Sequence, residues 1–151
     1  GAAPGSWSEV AAEKVGKHGK VIASDILDME PIQGVTFIQG DFLKDEVLEK
    51  ILEELGEAKA DLVLSDMAPN MSGNDAIDQP RAMYLAELAL DMAEKTLRKD
   101  GILLVKLFHG EGFDEYVGRL KKSFARVIVR KPKASRPRSR EVYALASGYN
   151  L

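Results

Sequence analysis

Short apolar runs rich in branched residues alternate along this chain with segments of helical period. Residues 20–24 (KVIAS), 35–39 (VTFIQ), 61–65 (DLVLS) and 101–106 (GILLVK) are each bounded by Gly, Asp or Pro. That is the pattern of short parallel strands buried on both faces. Between them, residues 6–15 read as a helix. Residues 46–55 repeat their apolar positions at i, i+3 and i+4, and Gly56 supplies a C-terminal stop. The longest predicted helix covers 81–98 with Pro80 near its start, and the last covers 113–124. Two further strands follow, 126–130 and 141–146. The stretch 131–140 between them is too short for a crossover helix, so these two strands are expected to pair antiparallel.

Repeated β-α units predict an open, mostly parallel α/β sheet with helices on both faces, closed by a C-terminal antiparallel hairpin. The 151 residues suit a single domain over 1–151. The opening Gly1-Ala2-Ala3-Pro4-Gly5 has the composition of a strand-to-helix turn. A strand is therefore expected immediately before Gly1, central in the sheet, and the sequence reads as a fragment that lacks it.

Composition narrows the class. At 45% hydrophobic and 30% charged residues the chain is an ordinary globular one, and no apolar run approaches the roughly 20 residues that span a bilayer. There is no cysteine, and His18 and His109 share no ligand spacing, so no metal is expected. No membrane partner, a cytoplasmic location and a monomer are the expectations. The net charge of −3 conceals an asymmetry: residues 119–140 hold ten of the 21 Lys and Arg and none of the 24 Asp and Glu. A polyanion-binding edge on an acidic body follows.

The candidate chemistry sits at strand ends. Gly1, Pro4, Gly5 and Trp7 belong to a turn whose small residues let backbone N–H groups approach a ligand, with a helix N-terminus behind them. Asp25 ends the next strand, where an acid can bond ribose hydroxyls; its plainer role is to cap the following turn. Asp41 and Asp66 follow the strands predicted at 35–39 and 61–65, and Phe42 is placed to cover a ring. Three acids at successive strand ends point to a nucleoside-bearing cofactor. Tyr84 is expected to be core rather than a stacking surface, and Met67, Met71, Met83 and Met92 to be packing.

The segments 66–73 (DMAPNMSG), 80–85 (PRAMYL), 110–116 (GEGFDEY) and 135–143 (SRPRSREVY) closely resemble the FtsJ/RrmJ (RlmE) ribosomal RNA ribose methyltransferases. The likeness runs over essentially the whole chain. It implies a Rossmann-like methyltransferase fold, S-adenosylmethionine as donor, and a Lys-Asp-Lys-Glu catalytic set. Asp66, Lys106 and Glu141 match the last three members; the first lysine is expected on a helix upstream of Gly1. Gly5, Trp7, Asp25, Asp41 and Asp66 match the family's cofactor positions. In bacterial members the substrate is a uridine ribose in 23S rRNA of the large ribosomal subunit.

Methyl transfer to a hydroxyl requires that the oxygen be aimed and lose its proton. Nearby Asp66 and Glu141 favour a charged Lys106, which is expected to orient the hydroxyl and stabilise developing alkoxide as readily as it abstracts a proton. For Glu141 the plainer role is an ion pair with Arg140, and for Lys106 a snorkelling strand-end lysine. RNA contact is expected from Arg130, Lys131, Lys133, Arg136, Arg138 and Arg140, which can grip phosphates. Asp66-Met67-Ala68-Pro69 lacks the aromatic that amino-group methyltransferases set against a target base, which favours ribose. The alternatives are a ribose methyltransferase of tRNA or of an mRNA cap, and a catalytically inactive RNA-binding fragment; methylation assays on large subunits and tRNA separate them. A nicotinamide dehydrogenase would have no use for the terminal hairpin.

Overall fold

A computed structural model describes residues 1–41, 43–133 and 137–150. Phe42 and Arg136, both among the expected site residues, lie outside the described residues. The chain forms two compact units, 1–57 and 58–151, of an α/β fold.

In the first unit, helix α1 (Ser6–Val15) leads to β1 (Val21–Asp25), β2 (Val35–Gln39) and helix α2 (Asp45–Leu55). The two strands pair in parallel, from Val21 opposite Val35 to Asp25 opposite Gln39. Helix α2 buries Val47 and Ile51, one turn apart, and stops where Gly56 takes a positive φ of 69° and donates to Leu52 O at 3.0 Å. These elements match the sequence pattern to within a residue.

The second unit holds β3 (Ala60–Ser65), α3 (Asp75–Thr96), β4 (Leu97–Phe108), α4 (Phe113–Ser123), β5 (Phe124–Arg130) and β6 (Glu141–Tyr149). The sheet order is β3-β4-β6-β5. Strands β3 and β4 are parallel, and β6 runs antiparallel to both β4 and β5, so three of the four strands share one direction. The predicted antiparallel pair is present, with β6 interior and β5 at the edge.

Alternation along the strands builds the core. Leu103, Val105 and Leu107 of β4 lie opposite Ala146, Ala144 and Val142 of β6, and all six are at most 2% exposed. Ala86, Leu90 and Ala93 of α3 and Tyr116 and Leu120 of α4 complete the same cluster. The small Ala144 and Ala146 let the helices approach the sheet closely. Residues between these positions, including Lys106, Glu141 and Tyr143, therefore share the opposite face.

Helix α3 starts at Asp75, six positions before the predicted start, and Pro80 lies inside it. The cap explains this. The Asn74 side chain accepts from Ala76 N at 3.0 Å, and Asp75 and Asp78 put negative charge in the first turn. A proline so near the N-terminus removes one intrahelical bond without ending the helix.

Candidate functional site

In the second unit, three strands deliver charged side chains to one place. Asp66 directly follows β3, Lys106 is on β4 and Glu141 opens β6. Lys106 Nζ lies 3.0 Å from Asp66 Oδ1 and 3.3 Å from Glu141 Oε1. Only 12% of the lysine side chain is exposed, against 29% and 34% for its partners. A half-buried ammonium between two carboxylates is a preorganised cation that cannot swing away without breaking its ion pairs with both acids.

Tyr143 completes the cluster, and sequence reasoning missed it. It sits opposite Lys106 in the β4–β6 register, and its hydroxyl donates to Asp66 Oδ1 at 2.7 Å. Burial and the hydrogen bond to Asp66 push the phenol well above its ordinary range, so it stays a donor. The available signal was its spacing from Glu141: two residues along a strand place both side chains on one face.

The loops around this cluster are tied to the start of α3. Asp78, 3% exposed, accepts from Ser72 N at 2.9 Å, Ser72 Oγ at 2.8 Å and Gly73 N at 3.0 Å. Those bonds, the one from Ser72 N first, hold its carboxyl below the usual carboxylate range and fix the 66–74 loop. Gln79, 5% exposed, donates to Phe108 O at 3.0 Å and Glu111 O at 3.1 Å. At Gly110, φ is +141° and a Cβ would meet Gln79 Cδ at 2.9 Å, so this turn needs glycine. A depressed native carboxyl contributes stability above the unfolded-state value that disappears as pH falls through the native one. Asp78→Asn is accordingly expected to destabilise the protein at neutral pH. Its deficit against the unsubstituted chain should shrink below about pH 4, the ordinary aspartate range, in urea titrations across pH.

Arg140 turns toward the start of α3 rather than toward Glu141. Its Nη2 lies 2.9 Å from Asp75 Oδ1 and its Nη1 3.4 Å from both Gln79 Oε1 and His109 O. The plainer pairing of Glu141 with Arg140 is not formed, because Lys106 takes Glu141 and Asp75 takes Arg140. Arg130, Lys133 and Arg138 are exposed, while Lys131 Nζ donates to Ser139 O.

In the first unit the glycine-rich turn lies on the end of β1. Ala2 N donates to Ser24 O at 3.0 Å and Ala3 N to Asp25 Oδ2 at 2.8 Å. Gly5 caps α1 at φ +124°, a backbone conformation that strains any L side chain, and a Cβ there would also press on the tip of Ile32 at 2.8 Å. Gly1 and Pro4 are exposed and Trp7 is half-buried. Asp25 Oδ1 also accepts from Leu27 N at 3.0 Å. Burial pushes the Asp25 carboxyl up, but the N–H groups of Leu27 and Ala3 outweigh this and leave it below its ordinary value. Asp41 likewise accepts from Leu43 N at 2.9 Å. Both acids thus cap their following turns, and each carboxylate keeps lone pairs for a ligand.

These residues fit a nucleoside-bearing group. Ser24 Oγ is buried without a hydrogen-bond partner among the described residues, beside an acid and a turn whose positive φ at Gly5 favours glycine. Ile26 and Leu27, 65% and 66% exposed, put apolar surface next to Asp25, and sequence reasoning had passed over them. Among the described residues no group of acids and histidines could hold a metal ion, and no helix is long and apolar enough to cross a membrane.

Comparison with known proteins gives a consistent result. The model of the FtsJ-like methyltransferase family matches residues 1–149. Ribosomal RNA large subunit methyltransferase E of Cellvibrio japonicus (strain Ueda107) is 58% identical over 149 residues, which is 99% of this chain and 71% of that protein. A crystal structure from Plasmodium falciparum, assigned as a ribosomal RNA methyltransferase, superposes with a TM-score of 0.86 at 32% identity, covering 99% of this chain and 83% of the other. Human methyltransferase-like protein 13 in complex with SAH shares the fold at a TM-score of 0.64 and 14% identity, over 95% of this chain and 68% of that one.

Proposed function

This chain belongs to the FtsJ-like methyltransferase family, and we propose that it moves a methyl group from S-adenosylmethionine to the ribose 2'-hydroxyl of a uridine in 23S rRNA of the large ribosomal subunit, in the cytoplasm. The observation that carries the reading is the Lys106–Asp66–Glu141 cluster in a chain 58% identical to a large-subunit rRNA methyltransferase.

The donor, when bound, supplies an electrophilic methyl group on a sulfonium. Gly1, Pro4, Gly5, Trp7, Asp25 and Asp41 are the residues proposed to hold it: backbone N–H groups of the turn for its carboxylate, and the acids for its hydroxyl and amine groups. The rest of the chemistry belongs to the charged cluster. Lys106 donates a hydrogen bond to the substrate hydroxyl and aims its lone pair, and its charge stabilises the oxygen as the proton departs. An ammonium held by two carboxylates has no lone pair to offer, so it positions rather than deprotonates. Asp66 Oδ1 already accepts from Tyr143 and pairs with Lys106. Glu141, the more exposed of the two acids, is the proposed proton acceptor. Asp66 and Tyr143 keep Lys106 in place.

Labelled methyl transfer to large subunits purified without the modification tests the substrate assignment. Incorporation into uridine of 23S rRNA is expected; incorporation only into tRNA refutes it. RNA grip is assigned to Arg130 at the end of β5 and to Lys133 and Arg138 beyond it, while Lys131 bonds Ser139 O and Arg140 pairs with Asp75. Lys133→Gln with Arg138→Gln is expected to lower the slope of log affinity against log salt by about 0.7–0.9 per residue. An unchanged slope in filter-binding titrations would remove the loop from the RNA interface.

A further inference from the structure

Tyr84 was expected in the core, yet 54% of it is exposed. The helix geometry accounts for this: Ala82, Met83, Ala86, Ala89, Leu90 and Ala93 occupy the buried stripe of α3, and Tyr84 falls on the far side of it. Its ring lines an open groove of about 420 Å³ with Pro69, Pro80, Arg81 and Leu85. Ile77, two turns before Tyr84, is 42% exposed along the same edge. Arg81, three positions before Tyr84, is exposed and forms no ion pair among the described residues.

We propose that this groove takes an unstacked nucleobase of the RNA substrate, adjacent to the nucleotide being methylated. The inference rests on the reading that this chain methylates an RNA ribose. Three features select a nucleobase over another occupant. The walls are two prolines, a leucine and an aromatic ring, an apolar slot that suits the flat face of any base. The single charge at the rim is a guanidinium, matched to a phosphate on the same strand. The groove is also joined to the charged cluster by covalent chain: Pro69 is three residues from Asp66, so their Cα atoms are at most about 11 Å apart. RNA loops are recognised by splaying bases onto aromatic and arginine side chains, and a ring held by only two side-chain torsions loses little freedom in doing so.

The test compares Tyr84→Ala, Tyr84→Phe and Arg81→Gln in the full chain with unmethylated large subunits as substrate. Tyr84→Ala is expected to raise KM for the particles about tenfold while leaving kcat, the affinity for S-adenosylmethionine and the melting temperature unchanged. Tyr84→Phe, which keeps the ring, should retain the original KM, and Arg81→Gln should flatten the salt dependence by about 0.7. Ultraviolet cross-linking of the bound particles should give a nucleotide adduct on Tyr84. A KM unmoved by Tyr84→Ala, or moved equally by Tyr84→Phe, overturns the proposal, as does a peptide adduct from a ribosomal protein. If the unsubstituted chain binds the particles without methylating them, the methyl-transfer reading fails, and the same variants then judge the groove on the dissociation constant.

Discussion

Lys106→Ala is expected to lower kcat by about a hundredfold to a thousandfold, the loss seen when one preorganised donor to a developing oxyanion is removed. The size follows from the geometry. Lys106 is 12% exposed and held at 3.0 and 3.3 Å from two carboxylates, so its position is fixed before substrate arrives and no reorganisation is required during the reaction. Water entering the vacated space would be neither charged nor oriented. S-adenosylmethionine affinity should be nearly unchanged, because the residues assigned to the cofactor do not include Lys106. Lys106→Met serves as the control for lost packing, since it keeps an apolar stem of similar length. Labelled methyl incorporation together with equilibrium cofactor binding checks both halves. Retained turnover would take Lys106 out of the mechanism.

Leu107→Ala is expected to destabilise the protein by about 2–5 kcal/mol, the range for deleting a buried leucine side chain. Leu107 is 1% exposed, lies opposite Val142 in the β4–β6 register and belongs to the main core cluster. The cavity would open in the core cluster on the helix-packed face of the sheet, while Lys106 and Glu141 lie on the opposite face. Activity should therefore fall with the folded fraction and recover at lower temperature, unlike the loss at Lys106. Leu145→Ala, on the opposite face and 37% exposed, should cost much less. Urea midpoints at constant m-value give the comparison; equal losses at the two positions would mean that the core is misassigned.

Much of this was legible from the chain alone, for physical reasons that differ by element. Strands β1, β2 and β3 and helices α1 and α2 are short and closed by Gly, Asp or a period change, so local pattern sets their limits. The antiparallel β5–β6 pair follows from the length of the connection. The start of α3 was misjudged because Pro80 is a stronger visible signal than the Asn74 cap, whose effect depends on its side chain reaching Ala76 N. Tyr84 was misjudged because a helix with a broad run of alanines does not announce which side faces the sheet. Tyr143 escaped notice because a tyrosine beside a matched glutamate reads as ordinary strand composition until the partner strand is known.

The sequence by itself determined the α/β class and the family, and it singled out Asp66, Lys106 and Glu141 as the expected charged set, since these depend on local periodicity and on long ordered motifs. Only the tertiary structure decided which charge meets which. Helix α3 separates Asp66 from the strand that carries Lys106, and α4 and β5 separate that strand from Glu141; β-sheet register brings them to 3.0 and 3.3 Å. The same register put Tyr143 opposite Lys106 and on Asp66, and freed Glu141 from its chain neighbour Arg140, which instead clamps Asp75. Pairing between distant strands is a non-local property, fixed by which faces must be buried together.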